Sequence, residues 1–547
     1  MRNLVHSGLS IVVGTVALAT HALGAPQSWS HQFGTSDEEQ TSSLASDGAG
    51  GVYVGGFTSG SLYGPHIGWE DFVLAHRAAD GSTLWALQYG DGGRDFCTDL
   101  ASDGIGGVFV TRIQPFNKMG WLERFSATGT LYWQQAFSAP LGADTRANAV
   151  AADGAGGCFV AGYTTGELWG PATGPGDQDA WVIHYSASGN LQWFQKLAVV
   201  GSNWAIDLAS DGAGGVFVGG SGPAVGVDTE WVARFDGTGQ LLWQEGIGGA
   251  TGQLWGIAAD GAGGVVVAAR VEEAVGGPHG GLTDIYLERI DGSGTTLWSR
   301  QLGGPGADEP HAVAVDGSGR IALAGMTWGA GFGPGTLVGP TFGDNDVWIA
   351  RYDLAGNLEY LHALGTSALD EAQCVAVDDQ GIFVGGFSTG ALLGTHLGGG
   401  DAFVLRMDDC ELQGLSTYCV GAINSTGEGA TIGHLGSRVL GNNDFVLAAG
   451  RCPPGQVGIF ILGPGQASTP FGNGVLCVGG GVLRLLPPQP TGTTGNVALS
   501  VDFTDAGSPA SQITAGSTWN FQFWYRDIPG GGAGFNLSNG LSVSFCP

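Results

Sequence analysis

Two markers recur seven times each in this chain, and together they restrict the fold more than any other feature. The first is an Asp-centred turn: SDGAGG at Asp47, SDGIGG at Asp103, ADGAGG at Asp153, SDGAGG at Asp211, ADGAGG at Asp260, VDGSGR at Asp316 and VDDQGI at Asp378. The second is an aromatic at Trp29, Trp85, Trp133, Trp193, Trp243, Trp298 and Tyr360. Successive Asp positions lie 49 to 62 residues apart. Each unit reads as four short strands. In the unit around Asp211 they are Ala205 to Ser210, Gly215 to Gly219, Glu230 to Phe235 and Gln240 to Glu245. Tight Gly-bearing turns join the first strand to the second and the third to the fourth. Four strands at this period predict a β-propeller blade. A β-helix repeats at a much shorter period, and an immunoglobulin array needs nearly twice the length.

The seventh unit stops near Cys410 without an aromatic fourth strand, whereas the first strand, Trp29 to Gly34, has no unit before it. The simplest reading pairs the two. The N-terminal strand completes the last blade, closes the ring and removes an unpaired edge. The fold class expected is all-β: a seven-bladed propeller over residues 25–410, followed by a small β-sandwich over 411–547. Segments such as WSRQLGG, AVAVDGSG and DVWIARYDLAGNL resemble the SBBP family of bacterial β-propeller repeats across roughly residues 29 to 410. That resemblance implies a fold and export, not a reaction.

The first 24 residues read as an export signal. Arg2 is followed by the largely apolar stretch Leu9 to Ala19, and Ala22-Leu23-Gly24 precede a cut at Ala25. A secreted or cell-surface location is expected. No later segment is apolar for long enough to span a bilayer. Of the eight Cys, five lie after Asp408: Cys410, Cys419, Cys452, Cys477 and Cys546. In an exported domain they are disulfide candidates. The expected pairs are Cys419 with Cys546 and Cys452 with Cys477, leaving one over. The stretch from Tyr418-Cys419 through Trp524-Tyr525-Arg526-Asp527 to Phe535-Asn536-Leu537-Ser538 resembles C-terminal domains of secreted planctomycete-type repeat proteins. Cys97, Cys158 and Cys374 fall on inner strands of different blades and read as buried structural thiols.

A net charge of −30, with Lys118 and Lys196 the only lysines, excludes nucleic acid and anionic membrane surfaces as partners, since both demand basic faces. No HExxH, P-loop or GxSxG motif is present, and no cofactor is expected. Features present in every blade read as architecture. This applies to the cation nine residues before each aromatic (His76, Arg124, His184, Arg234, Arg289, Arg351), with Arg406 completing the series, and to the Asp of the turns. Function is expected instead on the opposite rim, where loops joining the second and third strands and loops between blades are long and irregular. Acids there precede the inner strands: Asp37, Glu38, Asp95, Asp144, Asp308, Glu309, Asp370 and Glu371. The two units between them carry Asn203 and Gln253 instead. Such a broken ring suits a glycan, a cation or a cell-surface protein, unless its members cap loops or bond the neighbouring blade. His66, His279 and His396 occupy the same rim, but a three-His zinc site would need distant loops to converge. The leading expectation is a non-enzymatic binding or structural scaffold. The alternative is an extracellular hydrolase or lyase that uses paired carboxylates on a polysaccharide.

Overall fold

The computed structural model describes residues 29–168, 177–197, 201–223, 230–247, 252–328, 345–408, 414–435, 438–440, 443, 445–493 and 495–546. The segment read as an export signal and Cys410 lie outside these residues. Among the described residues, 29–408 form seven four-stranded antiparallel sheets. Their inner strands are Glu39–Ser46, Phe96–Ser102, Thr145–Ala152, Trp204–Ser210, Gln253–Ala259, Ala307–Val315 and Asp370–Asp378. Each inner strand packs beside the next in chain order, and the last packs beside the first, so the sheets form a propeller. The last sheet contains Asp370–Asp378, Gly381–Ser388 and Asp401–Asp408, and its outer strand is Trp29–Phe33, which pairs antiparallel with Asp401–Asp408. No helix among the described residues is long and apolar enough to cross a membrane.

The turns follow from side-chain chemistry. Asp47 Oδ1 accepts from the backbone N–H groups of Ala49 (2.7 Å) and Gly51 (2.8 Å), while Gly48 and Gly50 take left-handed φ values of 72° and 89°. The other carboxylate oxygen receives the strand cation. His76 meets Asp47, Arg124 meets Asp103, His184 meets Asp153, Arg234 meets Asp211 and Arg289 meets Asp260, at 2.7 to 2.9 Å. The same guanidinium groups reach the next sheet: Arg124 donates to Ala187 O, Arg234 to Gly292 O and Arg289 to Leu354 O. In these three sheets the recurring cation is therefore an inter-blade strut, whereas Arg351 pairs with Glu359 inside its own sheet at 2.9 Å. Replacing Asp103 by Ala is expected to cost about 3–5 kcal/mol in denaturant unfolding, because it leaves a buried Arg124 without its counter-charge. Arg94→Met, at the partly exposed pair with Glu70, should cost less than the loss of Asp103, about 1 kcal/mol.

The aromatic series performs a parallel task. The indole N–H of Trp29, Trp85, Trp133, Trp193, Trp243 and Trp298 donates to a carbonyl in the third-to-fourth-strand turn of the following sheet, at Ala79, Ala127, Ala187, Gly237, Gly292 and Leu354. Tyr360 stands where Trp would be expected, and the geometry explains the exception. The sheet that follows it takes its fourth strand from the N-terminus, so it has no such turn to receive an indole N–H.

Every inner strand also carries a β-bulge at the same height, between Thr41 and Ser43, Cys97 and Asp99, Ala147 and Ala149, Ala205 and Asp207, Leu254 and Gly256, Pro310 and Ala312, and Ala372 and Cys374. The extra residue turns its side chain toward the neighbouring sheet. Thr98 Oγ1 donates to Ala147 O (2.8 Å) and Asn148 Nδ2 to Ala205 O (2.7 Å).

Residues from Leu415 onward build separate sheets. Leu415–Tyr418, Gly540–Ser544, Thr518–Arg526, Val457–Gly463 and Leu483–Pro490 are paired in that order, with Phe535–Leu537 alongside Thr518–Arg526. They face Thr431–Leu435, Val446–Gly450 and Val497–Ser500 across a core that includes Phe445, Leu447, Phe460, Phe521, Phe523 and Phe545. The disulfide pattern corrects the sequence expectation. Cys419 bonds to Cys477, with Cα atoms 6.3 Å apart. Cys546 is also disulfide-bonded, and Cys452 is a free, buried thiol. Alternation along Val446–Gly450 and the turn that follows sends Cys452 into the core, where burial pushes its thiol up to about 12. Cys97, Cys158 and Cys374 are buried free thiols.

Candidate functional site

The acids named on the loop-rich rim do not converge on one site: Asp95, Asp144, Asp308 and Asp370 are tied into their own sheets, whereas Glu309 and Glu371 reach across to the preceding sheet. Asp95, Asp308 and Asp370 are fully buried. Each caps the loop before it, accepting from the backbone N–H four residues upstream: Asp91, Gly304 and Thr366. Each also accepts from the adjacent strand, Asp95 from Arg112 and Gln114, Asp308 from Thr327, Asp370 from Ser388. Burial raises all three carboxyls above their ordinary range. Glu39 holds the same position in the first sheet, accepting from Thr35 N (2.6 Å) and Thr58 Oγ1 (2.6 Å). Asp144 pairs with Arg146 (3.1 Å), Glu309 with Arg270 (2.5 Å), and Glu371 accepts from Asn345 (2.7 Å). Asp37 and Glu38 alone of the eight are exposed.

A second set of acids does not stand out in the sequence. Asp71, Asp284 and Asp401 begin the third strands of their sheets and are fully buried. One oxygen of each accepts from a loop N–H (Ile67, Gly280, Leu397) and from a Gln on the outer strand (Gln88, Gln301, Gln32). The signal is present as GPHIGWED, GPHGGLTD and GTHLGGGD. His66, His279 and His396 are repeat-equivalent members of this motif. His279 and His396 each lie against the Asp of their own loop, at 3.2 and 3.3 Å.

Two features of the rim present accessible chemistry. Trp69 and Phe116 are both 61% exposed, with ring centroids 6.1 Å apart and planes at 69°. Backbone bonding fixes the loop beneath Trp69, whose N–H donates to Gly93 O (3.0 Å). The Arg94 guanidinium lies 5.6 Å from the Trp69 ring, and Asn117 and Gln114 both donate to Asp91 beside Phe116. The second feature is a cavity of about 270 Å³ lined by Trp204, Ile206, Ser221, Glu230, Gly252, Gln253, Arg270 and Glu272. It opens where the acid series is interrupted at Asn203 and Gln253. Glu230 accepts from Ser221 Oγ (2.8 Å) and Leu254 N (3.1 Å), and burial raises its carboxyl. Among the described residues no group of three or more His, Cys, Asp or Glu side chains is placed to hold a metal.

A β-propeller repeat model, SBBP, matches residues 297–333. No curated protein matches. Among solved structures, a puromycin hydrolase S511A mutant complexed with PGG aligns at 10% identity and TM-score 0.42, covering 78% of this chain and 61% of that one. This chain thus spans under two thirds of that hydrolase. YCF48 bound to D1 peptide aligns at 11% identity and TM-score 0.38, covering 71% and 96%. A gluconolactonase from Xanthomonas campestris aligns at 13% identity and TM-score 0.34, covering 69% and 97%. The recurrent four-stranded sheets and the matched repeat agree: the chain is a β-propeller repeat protein.

Proposed function

We propose that this chain is a non-catalytic binding propeller, acting at or outside the cell surface, whose loop-rich rim holds a neutral glycan on the Trp69–Phe116 pair. The observation that carries this reading is the exposure of two large aromatic rings on loops pinned by backbone hydrogen bonds. A pyranose offers apolar C–H faces and a rim of hydroxyls. It is matched by ring faces flanked by planar amide, carboxylate and guanidinium groups, here Asn117, Asp91 and Arg94. The overall charge of −30 disfavours polyanionic ligands and leaves neutral ones unopposed. Most of the rim carboxylates are occupied in loop capping, which supports binding over carboxylate catalysis. A neutral-glycan array should give ligands that the double variant Trp69→Ala/Phe116→Ala binds at least about tenfold more weakly, a loss of about 1.4 kcal/mol. An array without ligands, or binding unchanged in that variant, would remove the assignment.

The hydrolase alternative has one specific support, the cavity that brings Glu230 and Glu272 to its walls beside Trp204. Reducing-end release from neutral polysaccharides, abolished by Glu230→Gln and retained in Trp69→Ala, would favour it over the binding reading.

A further inference from the structure

The three GxHxGxxD loops are sewn to the next blade by the same backbone bonds. Trp69 N donates to Gly93 O and Asp95 N to Glu70 O; Leu282 N to Gly306 O and Asp308 N to Thr283 O; Gly399 N to Asp37 O and Glu39 N to Gly400 O. Each seam carries two fully buried carboxylates, Asp71 and Asp95, Asp284 and Asp308, and Asp401 and Glu39, and the charge of Asp284 is felt at Asp308. In each pair one oxygen, Asp71 Oδ1, Asp284 Oδ1 or Asp401 Oδ1, is buried without a hydrogen-bond partner. Each of these oxygens faces a glycine, and at Gly34 and Gly90 the space that the missing side chain leaves borders the second acid as well. At Gly34 a Cβ would lie 2.6 Å from Asp401 Oδ1 and 2.7 Å from Glu39 Oε2. At Gly90 it would collide with Asp71 Oδ1 and lie 3.1 Å from Asp95 Oδ2, and at Gly303 it would collide with Asp284 Oδ1.

A buried, unpartnered carboxylate oxygen turned toward a second buried carboxylate is costly unless something positive joins them. In the first seam Arg112 neutralises one member, lying 3.1 Å from Asp95. No Arg or Lys among the described residues forms an ion pair with Asp284, Asp308, Asp401 or Glu39; the nearby cationic candidates are His279 and His396, on the side of the already bonded Oδ2. We propose that the seams formed by Asp401 with Glu39 and by Asp284 with Asp308 each bind a hard divalent cation of calcium size. Two carboxylates supply the charge, and backbone carbonyls or water complete an all-oxygen shell, as such ions prefer. The cation would lock adjacent blades at the rim, including the seam that closes the ring. The proposal is independent of the glycan reading.

The test uses the full chain, stripped with chelator and dialysed, and titrated with CaCl2 alone by calorimetry and scanning thermal unfolding. Calcium should bind at about two sites per chain and raise the melting temperature, with MgCl2 the weaker ligand because it loses water reluctantly. Asp401→Asn and Glu39→Gln should each remove the same site, and Asp284→Asn and Asp308→Asn the other. Asp71→Asn should leave calcium binding intact. Two substitutions per seam guard against a variant that fails to fold. Absence of calcium binding in the folded wild-type chain would overturn the proposal. So would variants that melt higher with calcium present or absent, which would show a like-charge pair relieved without any cation.

Discussion

Deleting residues 29–33 is expected to destabilise the propeller more than any single substitution. The strand they form is the outer edge of the last sheet, paired in register from Trp29 opposite Arg406 to Phe33 opposite Ala402. Its loss exposes the full edge of Asp401–Asp408, the arrangement most prone to slippage and aggregation. It also removes bonds that join this strand to the last and first sheets of the ring. Gln32 donates to Asp401 (2.9 Å) and accepts from Leu393 N (2.9 Å), and Trp29 donates to Ala79 O (2.9 Å) in the first sheet. Trp29 is half-buried, so Trp29→Ala alone should cost about 2–3 kcal/mol, below the roughly 3–5 kcal/mol typical of a fully buried aromatic. Thermal unfolding followed by circular dichroism reads both effects, with the exposed Trp328→Ala as control. A truncated chain that melts with the wild type would show that the ring is not held shut by this strand.

The second large effect is a dependence of stability on pH set by Asp99 and Asp207. Both follow the inner-strand bulge and bridge to the next blade: Asp99 accepts from Val150 N (2.8 Å) and Asp207 from Ile257 N (2.8 Å). Burial raises Asp99 to about 6, and burial together with the charge of Asp99 raises Asp207 to about 7. In the unfolded chain both return to the ordinary value near 3.8. Between about pH 4 and 7 the folded state therefore holds more protons than the unfolded one. Stability should fall as pH rises through that window and level off above it. A carboxyl that titrates one pH unit higher in the folded than in the unfolded chain changes stability by about 1.4 kcal/mol, so even a fraction of the effect is measurable. The stability of Asp207→Asn relative to wild type should improve steadily from about pH 4.5 to about pH 7 and then level off, whatever its offset from the altered bond to Ile257. A difference that stays constant across that range would show that the carboxyl titrates normally.

The location of the acids marks the limit of reading along the chain. Asp95 and Asp71 are equally visible as letters. Only Asp95 stands out, because it precedes an inner strand, whereas Asp71 belongs to a motif spaced more than a hundred residues from its nearest copy. Their meeting across a blade interface depends on how neighbouring sheets are seated. Trp69 and Phe116 are likewise unremarkable in a chain with 17 Trp and 25 Phe, since exposure is not written in residue type. The expected disulfide pairs fail for the same reason: Cys419 and Cys477 are 58 residues apart, and the cross-strand geometry that joins them is fixed by the sandwich, not by order.

The sequence by itself determined the repeating unit: the Asp-Gly turns, the four-strand period, the strand cation and aromatic as architecture, and the need for the N-terminal strand to complete the last sheet. Those features arise from contacts within one unit or between consecutive units, so they recur with a fixed spacing. Which carboxylates face each other, which rings remain in solvent and which thiols pair depended on the tertiary structure. Burial and inter-sheet distance are properties of the assembled ring and sandwich, and no local pattern encodes them.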